Sequence, residues 1–292
     1  MINKILSDYN KKIEEAIDLY LPDTESRYKT VSDAMRYSIL LGGKRIRPVM
    51  LLEFFKASGG EGDSALPFAV ALEMIHTYSL IHDDLPCMDN DDFRRGKPSN
   101  HKVYGEDMAL LAGDGLLTHA FYVASTTENI PAQRIVTAIK ELSAFAGYKG
   151  MVGGQVIDLE SEGKKVDESV IEELNLLKTS GLLRASAKIG AILAGANDEL
   201  VKAADDYGKA LGLAFQIVDD ILDTCGNESA LGKPIGSDER NKKSTFVSLY
   251  GIDECRQKVN ELTNEALNCL NAFKGDTKVL KELTLYLAKR EY

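Results

Sequence analysis

The sequence predicts an all-α protein forming one domain. Two observations predict the helices. Apolar residues recur at helical spacing through nearly every long segment, and no convincing series of alternating strands appears. A third bears on domain organisation. Most connections are short and no Ser/Pro-rich linker or low-complexity segment divides the chain, so residues 1–292 read as a single domain.

Residues 2–20 carry Ile2, Ile5, Leu6, Tyr9, Ile13, Ala16, Ile17 and Tyr20 on one helical stripe. Ser32 is placed to cap a helix that runs to Leu41 and stops at Gly42-Gly43. Pro48 suits the first turn of the next, which reaches about Ala57. Further helical patterns cover 63–85, 106–126, 132–149, 167–194, 198–223, 252–272 and 276–289. Two connections, 86–105 and 224–244, are long and polar, and long loops in a compact domain are often functional.

Composition bounds the function. With 44% hydrophobic and 27% charged residues in 292, the chain has material for a large core. A formal net charge of −10 argues against nucleic acid or an anionic membrane as partner, but local Lys and Arg leave anionic small ligands open. The start, MINKILSDYNKKIEEAI, does not read as a signal peptide, and no apolar run of about 18 residues predicts a membrane span. Cys87, Cys225, Cys255 and Cys269 form no C-x-x-C pair, which fits reduced thiols in a cytoplasmic protein.

Two acidic clusters stand out. Each ends a long helical pattern and precedes one of the two long loops. In residues 205–223, Leu211, Ala214, Phe215, Val218 and Leu222 form the packing stripe, while Gly212, Gln216, Asp219 and Asp223 form another. Carboxylates at i and i+4 repel by a few tenths of a kcal/mol, and a hard cation such as Mg²⁺ between them reverses the sign. Taken alone, such a motif is also read as a solvated acidic face. Gln216 among apolar neighbours argues for more than that.

The first cluster is HDDLPCMDNDDFRRG, residues 82–96. His76 and Asp83 share a helix face, roughly 10 Å apart along the axis. Pro86 removes a helical hydrogen bond to His82, and the resulting break lets Asp89 return toward Asp83. Phe93 and Arg94 stand where a calcium loop needs an acid or amide and a glycine, so an EF-hand fails. Acids beside Arg94-Arg95 make sense around a third, anionic party: a diphosphate bridged to carboxylates by Mg²⁺ and held by guanidinium. Basic partners recur in GGKRIRP (42–48), with Lys44, Arg45 and Arg47, around Lys178-Thr179, and through Gly232-Lys233-Pro234 to Lys242-Lys243. By itself a basic turn is equally a surface feature, and His76 equally a core histidine.

Together these segments resemble the trans-isoprenyl diphosphate synthases. The likeness runs in order through GGKRIRP, HTYSLIHDDLPCMDNDDFRRGKP (76–98), GDGLL (113–117), GGQVIDL (153–159), LKTSGLL (177–183) and the run from FQIVDDILD to LGKPIGSDERNKKST (215–245). It is closest to the short-chain branch, the farnesyl and geranylgeranyl diphosphate synthases of bacterial and plastid type. The resemblance implies a homodimeric bundle of antiparallel helices around a deep central pocket. It implies three Mg²⁺ ions, with Mn²⁺ as a substitute, on Asp83, Asp89 and Asp219, supported by Asp84 and Asp223. Arg94, Lys178, Lys233 and Lys243 would contact an allylic diphosphate. Lys44, Arg47, His76 and Arg95 would hold isopentenyl diphosphate. Thr179 and Gln216 would turn oxygens toward an allylic cation. Tyr78 and Ser79, five and four residues before Asp83, would set product length. The bulk of Tyr78 points to a C15 product, and the loop text 87–107 keeps C20 open.

Other readings are weighed by the same residues. A terpene cyclase would carry a different second motif, and a head-to-head synthase would not need Lys44, Arg47 and Arg95. A non-catalytic regulatory subunit would be expected to have lost an aspartate, yet Asp83, Asp84, Asp89, Asp219, Asp220 and Asp223 are all present.

Overall fold

The computed structural model describes residues 2–22, 25–225 and 244–289. Among these the architecture is helical. In order come α1 (Ile2–Tyr20), α2 (Lys29–Ile39), α3 (Ile46–Ala57), α4 (Leu66–Asp83), α5 (Asn100–Tyr104), α6 (Glu106–Ser125) and α7 (Ala132–Ala146). Then follow α8 (Met151–Ser161), α9 (Glu168–Lys178), α10 (Ser180–Ala194), α11 (Asp198–Cys225), α12 (Phe246–Tyr250), α13 (Ile252–Cys269) and α14 (Lys278–Ala288). The only strands among the described residues are β1 (Phe93–Arg94) and β2 (Lys97–Pro98), an antiparallel pair. The Cα framework divides into two compact units, one from Asn3–Leu52 and Gly62–Ile135, the other from Glu53–Glu61 and the chain from Val136 onward.

In the first unit α4 packs along α6. Pro67 opens α4, where its missing N–H costs nothing, and Phe68, Val70, Leu72, Met74 and Ile75 are wholly buried. Apolar residues round most of α4 suit a helix buried along most of its length, each large buried one contributing about 1.5–3 kcal/mol. Ser32 does not cap α2: the helix starts three residues earlier, behind Tyr28, and Ser32 is buried within it. The aligned Lys29-Thr30-Val31 turn extends the helix upstream of the candidate cap.

In the second unit α11 packs against α10 and α13. Gly212 permits that closeness, since a Cβ there would meet Ser180 Oγ at 2.5 Å. Ile171, Ile217, Val218, Ile221, Leu222, Phe246, Cys255 and Val259 form the core on the far part of α11. The pattern expected over 167–194 is two helices, broken at Thr179. Helix α8 was not expected: it carries Gly153-Gly154, and Val152, Val156 and Leu159 stay exposed, which removes the amphipathic signal.

Candidate active site

One set of expected residues is built at the end of α4. The helix stops at Asp83, Leu85 N–H donates to the His82 carbonyl at 3.1 Å, and Asn90 takes a left-handed φ of 52°. The chain therefore turns back. Asp89 N–H donates to the Asp83 carbonyl oxygen at 2.9 Å, the return that the break before Pro86 predicts. Both side chains are partly exposed.

Asp84 is paired with Arg94. It is 2% exposed, and Arg94 Nε donates to its Oδ1 at 3.0 Å and its Oδ2 at 3.2 Å. A second Arg94 nitrogen also donates to Oδ1. Burial pushes the Asp84 carboxyl up, against the opposing pull of the Arg94 guanidinium. Consecutive helical residues differ by about 100°, so Asp83 and Asp84 face different surroundings. In this structure Asp84 aims Arg94.

Arg95 and Gly96 form the tight turn between β1 and β2, with φ of 53° and 73°. Both positive angles are what a two-residue hairpin turn requires. The Arg95 guanidinium donates to the Gly42 carbonyl and lies on Gly43, where a Cβ would come within 2.8 Å of it. Gly43 itself has φ 133°.

The cations of GGKRIRP divide. Lys44 is exposed. Arg47 is partly buried, with Nη1 at 3.4 Å from His76 Nε2. A guanidinium can only donate, so His76 accepts on Nε2 and carries its proton on Nδ1. Desolvation, then the charges of Arg47, Arg95, Arg94 and Arg45, hold the His76 pKa well below the usual histidine range. Arg45 is no phosphate ligand. It is 2% exposed, with Nη1 on Glu73 Oε1 and Nη2 on the Ile39 carbonyl, each at 2.6 Å. Removing one partner of such a buried pair costs about 3–5 kcal/mol.

Tyr78 is 6% exposed and meets His82 edge-on, ring centroids 5.7 Å apart. Burial, and then the Asp83 charge, push its phenol up to about 12. Ser79 is partly exposed and donates to the His76 carbonyl at 2.9 Å.

The second unit carries the remaining residues. Lys178 Nζ lies 2.6 Å from Asp158 Oδ2. Thr179, at the break between α9 and α10, donates from Oγ1 to Gln216 Oε1 at 2.8 Å. Gln216 Nε2 in turn donates to Asp220 Oδ1 at 2.9 Å. On α11, Asp219 is partly exposed and Asp223 is buried. Lys233 and Lys243 lie outside the described residues.

Among the described residues no three His, Cys, Asp or Glu side chains form a ready metal cluster. Mg²⁺ does not need one, because it is usually held by one or two carboxylates together with waters and substrate phosphates. The accessible hard oxygens of Asp83 and Asp89 suit that ion, as do those of Asp219 in the other unit. Glu73, Asp158 and Asp220 join the polar network without a signal of their own in the sequence. Asp158 lay inside the quoted GGQVIDL segment and Asp220 inside the D-D pair, but Lys178, the partner of Asp158, and Phe246, a partner of Asp220, lie on other elements.

A family model described as polyprenyl synthetase matches residues 28–285. The farnesyl diphosphate synthase of Geobacillus stearothermophilus is 46% identical over 260 residues, covering 88% of this chain and 87% of that one. The geranylgeranyl diphosphate synthase of Cyanophora paradoxa is also 46% identical, over 264 residues and the same shares. Among solved structures, an FPP/GFPP synthase from Zymomonas mobilis superposes with a TM-score of 0.88 at 34% identity, covering 98% of each chain. The helical architecture and these matches along almost the whole chain agree: it belongs to the polyprenyl synthetase family.

Proposed function

We propose that the protein joins isopentenyl diphosphate head-to-tail to an allylic diphosphate, giving a short-chain prenyl diphosphate. The observation that carries this reading is the end of α4, where the Asp83–Asp89 turn stands beside Arg94 held on Asp84. Accessible carboxylates next to aimed guanidinium suit a metal-bridged diphosphate better than either a bare cation or a bare anion.

In this reading Asp83 and Asp89, and Asp219 in its own unit, would hold Mg²⁺, which would supply charge neutralisation at a departing diphosphate. Arg94 and Lys178 would each add positive charge at a diphosphate. Arg47 and Arg95, with Lys44, bind the second diphosphate, and neutral His76 orients Arg47. The Gln216 carbonyl and Thr179 oxygens face the allylic cation while the alkene attacks. A proton is then lost to the released diphosphate, so no side-chain base is required. Apolar residues on α6 and α8 that remain exposed, among them Leu110, Leu111, Val152 and Val156, support assembly as a homodimer.

For product length we favour C15, because Tyr78, five residues before Asp83, is buried in contact with His82. The geranylgeranyl-named relative favours C20 as the second reading. One incubation with dimethylallyl diphosphate, excess isopentenyl diphosphate and Mg²⁺, with an EDTA control and products identified by mass, tests both. A metal-dependent C15 diphosphate is expected. A C20 product overturns the length assignment alone, and no condensation overturns the reading.

A further inference from the structure

Asp220 neighbours Asp219 but is 3% exposed, where Asp219 is partly accessible. Its Oδ1 accepts from Gln216 Nε2 at 2.9 Å, and its Oδ2 accepts from the backbone N–H of Phe246, the first residue of α12, at 2.9 Å. Phe246 is itself packed in the core on α11. Asp220 is thus fixed from two elements at once.

We propose that Asp220 is a positioning residue that sets which end of the Gln216 amide faces Thr179, an inference that rests on the prenyl-transfer reading above. Hydrogen-bond polarity fixes the amide. A carboxylate only accepts, so the end of Gln216 beside Asp220 must be the NH₂. Oε1 then points the other way. A hydroxyl meeting a carbonyl oxygen must donate, so Thr179 spends its proton on Gln216 and keeps its lone pairs clear of that contact. The relay from Phe246 through Asp220 and Gln216 to Thr179 therefore turns oxygen, not N–H, toward a developing cation. A flipped amide would present N–H dipoles of the wrong sign. Asp219 and Asp220, adjacent in sequence, do different work: one is accessible for a metal, the other orients a neutral dipole.

The test is a polarity swap in the full chain. Asp220→Asn places an amide between two donors, and Gln216→Glu sets two carboxylates against each other. The double variant Asp220→Asn/Gln216→Glu restores every donor–acceptor match at unchanged net charge. Turnover with dimethylallyl and isopentenyl diphosphates, both KM values, the Mg²⁺ concentration for half-maximal rate and the melting temperature are measured for all four proteins. Each single variant should lose turnover on the order of 10²-fold with little change in KM or Mg²⁺ requirement. The double should exceed the product of the single effects by about tenfold or more. Wild-type turnover in Asp220→Asn, a raised Mg²⁺ requirement, or a double variant no better than the worse single overturns the proposal. Should Asp220→Asn fail to fold, Gln216→Glu against the double decides: higher turnover in the double supports it, equal or lower overturns it. A wild-type protein that does not condense the substrates overturns the underlying reading, and this one with it.

Discussion

The backbone N–H of Asp89 donates to the carbonyl oxygen of Asp83 at 2.9 Å, so two aspartates six residues apart leave the chain from adjoining points. On an uninterrupted helix they would diverge. Asp83→Ala should therefore lower turnover by about a hundredfold or more while leaving the melting temperature near wild type. Asp219→Ala should do the same. Steady-state kinetics at saturating Mg²⁺ checks both, and wild-type rates in either would remove that residue from the metal site.

Tyr78 is buried against His82. Tyr78→Ala removes the bulk five residues before Asp83 and should lengthen the product by at least one C5 unit. Mass analysis of the products decides. An unchanged chain length would mean that Tyr78 is core packing only.

Gly43 gives the Arg95 guanidinium a flat seat, and its φ of 133° disfavours any side chain. Gly43→Ala should displace Arg95 and raise the KM for isopentenyl diphosphate by roughly tenfold or more, the cost of one charged hydrogen bond. The KM for the allylic substrate should move far less. Equal effects on both would dissociate Arg95 from the isopentenyl site.

His76 is neutral, with its pKa held well below the usual range by burial and by four arginines. The unfolded chain takes up a proton near the ordinary value of about 6.5, and the folded chain does not until the pH is lower. The unfolded state then binds more protons, so stability falls as the pH drops below about 6.5. His76→Gln should flatten that slope in urea titrations between neutral pH and the acid limit. An unaltered slope would assign the acid sensitivity to other groups.

What was legible in the sequence was whatever depends on short-range order. Helical periodicity, the break before Pro86 and the shared face of Gln216, Asp219 and Asp223 all follow from residues within a few turns of one another. So did the choice of chemistry, since carboxylates beside arginines restrict the ligand. Helix α8 escaped because its exposed apolar residues blur the period.

Partner choice was decided by the tertiary structure. Asp83 and Asp84 are the same residue type side by side, yet one is accessible and the other is buried on Arg94. Arg45 and Arg47 differ likewise: one is buried on Glu73, the other meets His76. Composition cannot separate such neighbours, because the hydrogen-bond partner comes from a segment 10 to 29 residues away. Sequence alone determined which chemical groups the chain brings and the helices that carry them. Packing determined which of those groups are left accessible for a ligand and which are consumed in holding the others, because a buried charge must find its partner wherever the fold supplies one.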